Sequence, residues 1–167
     1  SDIIFYNLIE VLGLDPAHAN DTIAYAKLLC ELLAKGSRAS ITPHSVYSLS
    51  ETLWELTQHE IANAPLVSIH YAESRDEALL TQKREGELAN TFTSWGLPLD
   101  DCPKMTPFEI VSKYLPRNSR VLFVHNTHLS HHEAITLKGL FKQSFFTLCP
   151  ESNLHIEGTL PNIAMLM

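Results

Sequence analysis

The segment LVSIHYAES, residues 66–74, begins apolar and then turns polar, and a histidine and a glutamate lie in its polar part. His70 closes the apolar run and Glu73 follows three positions later. A neutral imidazole is a good zinc ligand, and a carboxylate beside a metal-activated water can take its proton and return it to a leaving amine. The pair therefore indicates metal-assisted hydrolysis, and a strand with only a structural role has no need of it.

Two further apolar runs also end in a histidine. His44 ends ITPH, residues 41–44, and His125 ends RVLFVH, residues 120–125. A lone histidine at a strand end is more often a structural hydrogen-bonding cap than a ligand, but an imidazole there can also polarise an electrophile or stabilise an oxyanion. Three histidines at three successive strand ends favour the functional interpretation.

Strands and helices alternate along the chain. Apolar runs with β-forming residues predict strands at residues 3–11, 39–44, 66–70, 120–125 and 144–149. Helical spacing predicts helices at residues 21–36, 48–64, 75–92, 107–115 and 130–141, and a last one from residue 160. The expected N-caps are Asp21, either Ser48 or Ser50, and Ser130.

This order is typical of an α/β fold built from parallel βα units. In parallel α/β folds the functional groups collect at the carboxyl ends of the strands, which lie at one edge of the sheet. We therefore expect His44, His70 and His125 to lie together at that edge.

Four segments in order, ITPHSVYS, SIHYAES, LFVHNTHLS and TLCPESNLHIEG, resemble the strand-end motifs of the amidohydrolase superfamily. The resemblance is closest to the branch that contains cytosine deaminase, adenosylhomocysteine deaminase and the triazine chlorohydrolases. It implies a (β/α)₈ TIM barrel with one catalytic divalent metal, zinc most often and iron in some members, at the C-terminal mouth. The five predicted strands correspond to the third to seventh strands of that barrel.

The same resemblance implies roles for individual residues. His70 matches the metal-binding histidine, and Glu73 matches the glutamate that shuttles protons among water, ring nitrogen and leaving group. His125 matches a catalytic histidine that also contacts the substrate, and His44 matches a substrate-contacting histidine. Ser152 and Asn153 match a Ser-Asn pair that follows the seventh strand in the family. That pair is either structural or lines the mouth of the barrel.

Parts of the family pattern have no counterpart in these 167 residues. No HxH motif precedes His44, the eighth-strand aspartate would lie beyond Met167, and the small β-sandwich is absent. A whole barrel takes about 250 residues. We therefore expect residues 1–167 to be a single partial barrel domain, inactive in isolation and without a tightly held metal.

Several functions fit the resemblance. The parent protein is expected to be a metal-dependent hydrolase of C–N bonds other than peptide bonds, which deaminates an amino-substituted heterocycle such as a purine or pyrimidine derivative. The alternatives are a chlorohydrolase or amide hydrolase of the same superfamily, and a non-catalytic barrel remnant. An HxH motif upstream and a strand-end aspartate downstream would decide between enzyme and remnant.

Composition narrows the possible partners. The chain is 45% hydrophobic and 19% charged, which is typical of a soluble globular protein, and its net charge of −7 argues against nucleic acid and anionic membrane. No apolar run reaches the roughly 18 residues of a membrane span, and three widely spaced cysteines suggest reduced cytoplasmic thiols. We expect a small-molecule substrate, and a homo-oligomer because a piece of a barrel exposes sheet edges and apolar side chains.

Other residues of chemically useful types have weaker support. His128, His131 and His132 fall at a predicted helix start and are expected to be solvated. Cys149 is expected to be a buried thiol rather than a nucleophile, and Glu10 is either a residue of the mouth or a structural one.

Overall fold

The computed structural model describes residues 3–34 and 36–166. Its strands are β1 (Tyr6–Val11), β2 (Arg38–Pro43), β3 (Leu66–Tyr71), β4 (Arg120–His125) and β5 (Gln143–Thr147). Its α-helices are α1 (Ala19–Leu33), α2 (Glu51–Ile61), α3 (Asp76–Lys83), α4 (Glu87–Ser94), α5 (Pro107–Tyr114), α6 (His131–Leu140), α7 (Pro150–Glu157) and α8 (Ile163–Leu166). The five predicted strands are all present, although β1 begins at Tyr6 and β5 ends at Thr147.

All strand pairs are parallel. β1 pairs with β2, and β3, β4 and β5 form a second sheet in that order. Where β2 meets β3, the Thr42 hydroxyl accepts from the Ser68 N–H (2.7 Å) and donates to the Ser68 carbonyl (2.5 Å), and the His70 N–H donates to the His44 carbonyl (2.8 Å). The described strands thus lie side by side in chain order without closing into a barrel, as a partial (β/α)₈ barrel requires.

The helix boundaries follow their caps. Ser50 and Ser130 accept from backbone N–H groups at the starts of α2 and α6, as predicted. The prediction of Asp21 as the N-cap of α1 was wrong, because a 3₁₀ turn at Pro16–His18, capped by Asp15, carries the chain into the helix at Ala19.

Two helical predictions needed further correction. The single helix expected over residues 75–92 is two helices, separated by Arg84 (φ 61°) and Gly86 (φ 96°). The φ of Gly86 favours glycine, and a Cβ there would lie 2.7 Å from the Asp76 carboxylate, which would have to shift. Helix α7 was not predicted. Two residues of the predicted helices, Lys35 and Met167, lie outside the described residues, and the helix predicted to end at Gly36 ends at Leu33.

The two faces of the central strands differ. Val67 and Ile69 of β3 and Val121 and Phe123 of β4 are fully buried, and they belong to one apolar cluster that runs through both sheets. His70 lies between such residues and takes the opposite face by strand alternation. Among the described residues, no helix is both long enough and apolar enough to cross a membrane.

Candidate active site

Three imidazoles lie in a row at the carboxyl edge of the strands. The ring centroids of His44 and His70 are 4.5 Å apart, and those of His70 and His125 are 4.9 Å apart. His44 follows β2, whereas His70 and His125 lie at the ends of β3 and β4. The juxtaposition expected from the sequence is therefore present.

The backbone of His125 departs from the strand pattern in a way that serves this row. His125 is the register partner of Tyr71, so regular alternation would place its side chain on the Tyr71 face, away from His70. Its φ of 78° rotates Cβ off that face, and Nε2 lies 3.0 Å from the His70 Nδ1. A left-handed residue that is not glycine is strained, and such strain concentrates at functional sites.

A carboxylate, Glu10 from β1, flanks one side of the row. Its Oε2 lies 3.0 Å from His44 Nδ1, and its Oε1 lies 3.4 Å from His70 Nε2. The hydrogen bonds from His44 and His70 lower the pKa of Glu10 to about 2. The hydrogen bond to Glu10 raises the pKa of His70, and burial opposes that rise. Glu10 is therefore part of the site, a role that the sequence left open.

Glu73 lies on the other side of the row. Its Oε1 is 3.1 Å from His125 Nε2, and its Oε2 is 3.9 Å from His70 Nδ1. The Tyr47 hydroxyl donates a hydrogen bond to Oε2 (3.2 Å). Burial, followed by the charge of Glu73, raises the pKa of Tyr47 above its ordinary value, so the phenol keeps its proton and stays a donor. Tyr47 was not identified from the sequence, where the only signal is its place three residues after His44.

A buried asparagine, Asn153 of α7, fixes the orientation of His125. Its amide nitrogen donates to the His125 carbonyl (3.2 Å), and its Oδ1 lies 2.9 Å from His125 Nδ1. Because an amide oxygen only accepts, the Nδ1 atom of the ring carries a proton, and Nε2 faces Glu73. Asn153 is 1% exposed, so it supports the site and does not line its mouth; its neighbour Ser152 is partly buried in α7.

The donor set fits a divalent metal. Within the described ranges, two groups each bring three donor atoms within 4.8 Å of one another: Glu10, His44 and His70 in one, and His70, Glu73 and His125 in the other. Imidazole nitrogens and carboxylate oxygens are donors that zinc accepts, and about three protein ligands suffice for a catalytic site. His70 is common to both groups.

The remaining candidates lie elsewhere. His131 and His132 are exposed at the start of α6, as expected. His128 is not the solvated residue expected, because its Nε2 lies 2.7 Å from a carboxylate oxygen of Glu157 and both side chains are largely buried. Cys149 is partly buried at the N-cap position of α7.

No family model matches the chain, and no curated protein matches it in sequence. Solved structures do match its fold. The aminofutalosine deaminase of Helicobacter pylori superposes with a TM-score of 0.78 at 20% identity, over 99% of this chain and 42% of the deaminase. An adenosine deaminase from Xanthomonas campestris with bound zinc gives a TM-score of 0.66 at 18% identity, over 95% of this chain and 33% of that one.

A zinc-complexed atrazine chlorohydrolase from Arthrobacter aurescens gives a TM-score of 0.66 at 14% identity, over 98% of this chain and 35% of the enzyme. The chain thus spans about two fifths of the length of the deaminase with the TM-score of 0.78. At these identities the likeness establishes the fold. The described residues therefore share the fold of one part of each of these three enzymes.

Proposed function

We propose that the parent protein is a metal-dependent hydrolase of the amidohydrolase type that deaminates an amino-substituted heterocycle. One observation carries the proposal: His70, Glu73 and His125 converge at the carboxyl edge of the strands, in a fold shared with zinc-bearing hydrolases. The heterocycle is of the purine or pyrimidine class, because two of the enzymes that share the fold are deaminases, and an adenosine deaminase is one of them.

His70 is the residue of this chain that holds the metal, with zinc as the favoured ion and iron as the alternative. When bound, such an ion lowers the pKa of its water to about 7 and so supplies hydroxide at neutral pH. His70 is aligned for binding by its neighbours, because Glu10 lies on its Nε2 side and His125 on its Nδ1 side.

Glu73 acts as the general acid–base. Its carboxylate accepts one proton of the attacking water and passes it to the ring nitrogen, and it then carries the second proton, that of the added hydroxyl, to the leaving amine, which departs as ammonia. The Tyr47 hydroxyl holds Glu73 Oε2, so the other oxygen, Oε1, faces the row of imidazoles. His125 polarises the amidine-like carbon and stabilises the charge that develops there, and His44 contacts the heterocycle at the far end of the row.

A chlorohydrolase reaction is the second candidate. It is favoured by the likeness to the atrazine chlorohydrolase and needs the same set of residues, since only the leaving group differs. Amide hydrolysis would use the same groups, and in a non-catalytic remnant the residues would remain without turnover.

Product analysis on the full-length protein that carries this chain tests the proposal. The zinc-loaded protein is incubated with amino- and chloro-substituted purines, pyrimidines and triazines, and ammonia and chloride are measured. Ammonia release supports the deaminase, and chloride release supports the chlorohydrolase.

Glu73→Gln should lower the rate of product release at least about 100-fold, as loss of a general acid–base does. His59→Ala, at an 88% exposed side chain, should not change this rate. Release of neither product from any of these heterocycles would leave the remnant as the better description.

We also propose that the chain self-associates. Tyr25, Leu28 and Leu32 form an apolar stripe at helical spacing on α1, and each is at least half exposed. A second copy related by a two-fold axis would cover this stripe. Light scattering at high micromolar concentration should show a dimer, and Leu28→Lys should shift it toward monomer; a wild-type monomer would contradict the proposal.

A further inference from the structure

The turn that follows β3 carries the proposed acid–base and has an unusual backbone. Ala72, directly before Glu73, has a φ of 51°, in the left-handed region that residues other than glycine rarely adopt. The conformation of this residue determines where the Glu73 side chain leaves the backbone. Something in the surrounding structure must therefore hold the turn in this form.

One buried carboxylate, that of Glu77, binds this turn. Its Oε2 accepts from the Ala72 N–H (3.0 Å), and its Oε1 accepts from the Glu73 N–H (2.6 Å) and the Ser74 N–H (3.2 Å). Three successive N–H groups pointing at one anion form a nest of the kind that binds phosphates and other anions. Here the group that the N–H donors bind is a carboxyl side chain of the protein itself, and it is only 2% exposed.

The carbonyl side of the turn is held as well. The His128 N–H donates to the Ala72 carbonyl (2.9 Å), and the Asn126 N–H donates to the Tyr71 carbonyl (3.0 Å). With both sides of its backbone bonded, the turn leaves the Glu73 side chain directed toward Tyr47 and His125.

Ordinary helix capping does not account for this arrangement. In the capping boxes of α5 and α6, Glu109 and Glu133 reach back to a single N–H, that of the N-cap residue. Glu77 is also in the first turn of its helix, but it reaches past the N-cap residue to three earlier N–H groups. Burial of a carboxylic acid is unfavourable for stability, so a cap alone would be better placed at the surface.

We propose that Glu77 is a positioning residue that acts through Glu73: it holds residues 72–74 in the one backbone conformation that places the Glu73 carboxylate between the Tyr47 hydroxyl and His125 Nε2. The catalytic meaning of this inference rests on the function proposed above; the control of the turn by Glu77 does not. The three N–H donors of residues 72–74 need both carboxyl oxygens of Glu77. A glutamine would present one oxygen and one NH₂ group, and the NH₂ group would face a backbone N–H.

Amide hydrogen exchange tests the control of the turn without any need for activity. In Glu77→Gln the Glu73 and Ser74 amides should exchange at least about ten-fold faster, while the amides of β4 keep their protection, because the opening is local. Glu133→Gln is the matched control, since Glu133 bonds Ser130 and Tyr71 and makes no bond to residues 72–74. Unchanged exchange at Glu73 and Ser74 in Glu77→Gln overturns the proposal.

A double-mutant cycle in the full-length zinc-loaded hydrolase tests positioning as distinct from mere support. Glu77→Gln should lower kcat about 10- to 100-fold with KM changed less than about two-fold, because a displaced acid–base slows the chemical step. If Glu77 acts through Glu73, the double variant with Glu73→Gln should be no slower than Glu73→Gln alone. Fully additive losses would overturn the positioning role. An inactive wild-type protein would refute the proposed function, and hydrogen exchange would still decide whether Glu77 controls the turn.

Discussion

The turn after β3 and the turn after β4 each direct one functional side chain into the same site. Both use left-handed residues other than glycine: Ala72 (φ 51°) beside Glu73 in the first, and His125 (φ 78°) with Asn126 (φ 58°) in the second. In each turn a buried polar side chain from a following helix binds the backbone. The turns after β3 and β4 thus share a left-handed backbone, and they differ in the side chain that binds it.

The two binding groups differ in chemistry and in sequence distance. Glu77 is ionisable, has two carboxyl oxygens that accept, and lies four residues after Glu73. Asn153 both donates and accepts, does not titrate, and lies 28 residues after His125, beyond β5. The N–H side of the β3 turn is therefore held by a local, ionisable contact, so it responds to pH. The β4 turn depends on the docking of α7 and fixes a ring tautomer as well as a carbonyl.

Replacing Glu77 by alanine should give the largest effect of any substitution in the two turns. The change leaves three buried N–H groups without an acceptor, and each such group costs about 1–3 kcal/mol. We expect Glu77→Ala to lower the free energy of unfolding by about 4 kcal/mol, measured by urea denaturation at about pH 6. A loss below about 1 kcal/mol would show that water takes over the N–H groups and that the turn does not rely on Glu77.

Glu133→Ala serves as the comparison for that loss. Glu133, like Glu77, lies in the first turn of its helix. It accepts a hydrogen bond from the buried Tyr71 hydroxyl (3.2 Å), but it satisfies only one backbone N–H. Its removal should lower the stability by about 1 kcal/mol, the usual value for a lost cap. The difference between the two variants measures what the turn adds to an ordinary cap.

Replacing Asn153 by leucine should give the second-largest effect. Leucine has a similar size but leaves the His125 Nδ1–H and carbonyl unpaired in a buried place, which should lower the free energy of unfolding by about 2–3 kcal/mol. Asn153→Asp keeps the acceptor for Nδ1–H and should recover part of that loss. Proton NMR should show the protected Nδ1–H resonance in wild type and Asn153→Asp but not in Asn153→Leu. If the resonance persists in Asn153→Leu, the tautomer is set by another group.

The strand ends could be predicted from the sequence because their signals are local. An apolar run that ends in a histidine, and a Ser-x-x-Glu pattern such as Ser130 to Glu133, each lie within a few residues. The break at Arg84 could not be predicted, since arginine gives no left-handed signal. It is held there by contacts of its guanidinium with distant carbonyls, including Leu99 (2.8 Å).

The same distinction separates the site residues. His44, His70 and His125 could be placed together from topology alone, because parallel strands end at one edge. The neighbours that orient them depend on side chains meeting across long sequence separations, and no local pattern encodes this. Glu10 reaches His44 over 34 residues, Tyr47 reaches Glu73 over 26, and Asn153 reaches His125 over 28.

The pH dependence of stability should also distinguish the two turns, because Glu77 titrates and Asn153 does not. Burial raises the pKa of Glu77 to about 8 from 4.5, against three backbone hydrogen bonds that lower it. Because the folded chain keeps a proton that the unfolded chain has released, the contribution of Glu77 to stability is full below pH 4.5 and is lost as the pH rises toward 8. Between about pH 6 and pH 8 the free energy of unfolding should fall by about 2 kcal/mol.

Other titratable groups surround Glu77 and also contribute to the pH dependence. They are Tyr47, Tyr71, Glu73, Arg75, His128 and Glu133. The informative quantity is therefore the difference between wild type and Glu77→Gln in how the free energy of unfolding changes with pH. Glu77→Gln should remove the Glu77 part of the slope and leave theirs, and Asn153→Asp gives the reverse comparison by adding an ionisable group to the β4 turn. If the free energy of unfolding changes with pH equally in wild type and Glu77→Gln, the three N–H donors lower the pKa of Glu77 as much as burial raises it.

Glycine substitutions should give the smallest effects, and these should have opposite signs in the two turns. At Ala72 (φ 51°) glycine removes a steric penalty of about 1–2 kcal/mol. It also adds backbone entropy to the unfolded chain worth about 0.4–1 kcal/mol, so Ala72→Gly should raise stability by about 0.5 kcal/mol.

At Asn126 (φ 58°) the steric penalty is smaller, because asparagine tolerates this region. The Asn126 side chain also donates to the carbonyls of Phe123 (2.7 Å) and Thr147 (3.0 Å). Asn126→Gly loses both hydrogen bonds and should lower stability by about 1–2 kcal/mol. Thermal and urea unfolding of the two variants side by side measure the signs. A gain in both turns would mean that the side chain of Asn126 is dispensable and that both turns are limited by backbone strain alone.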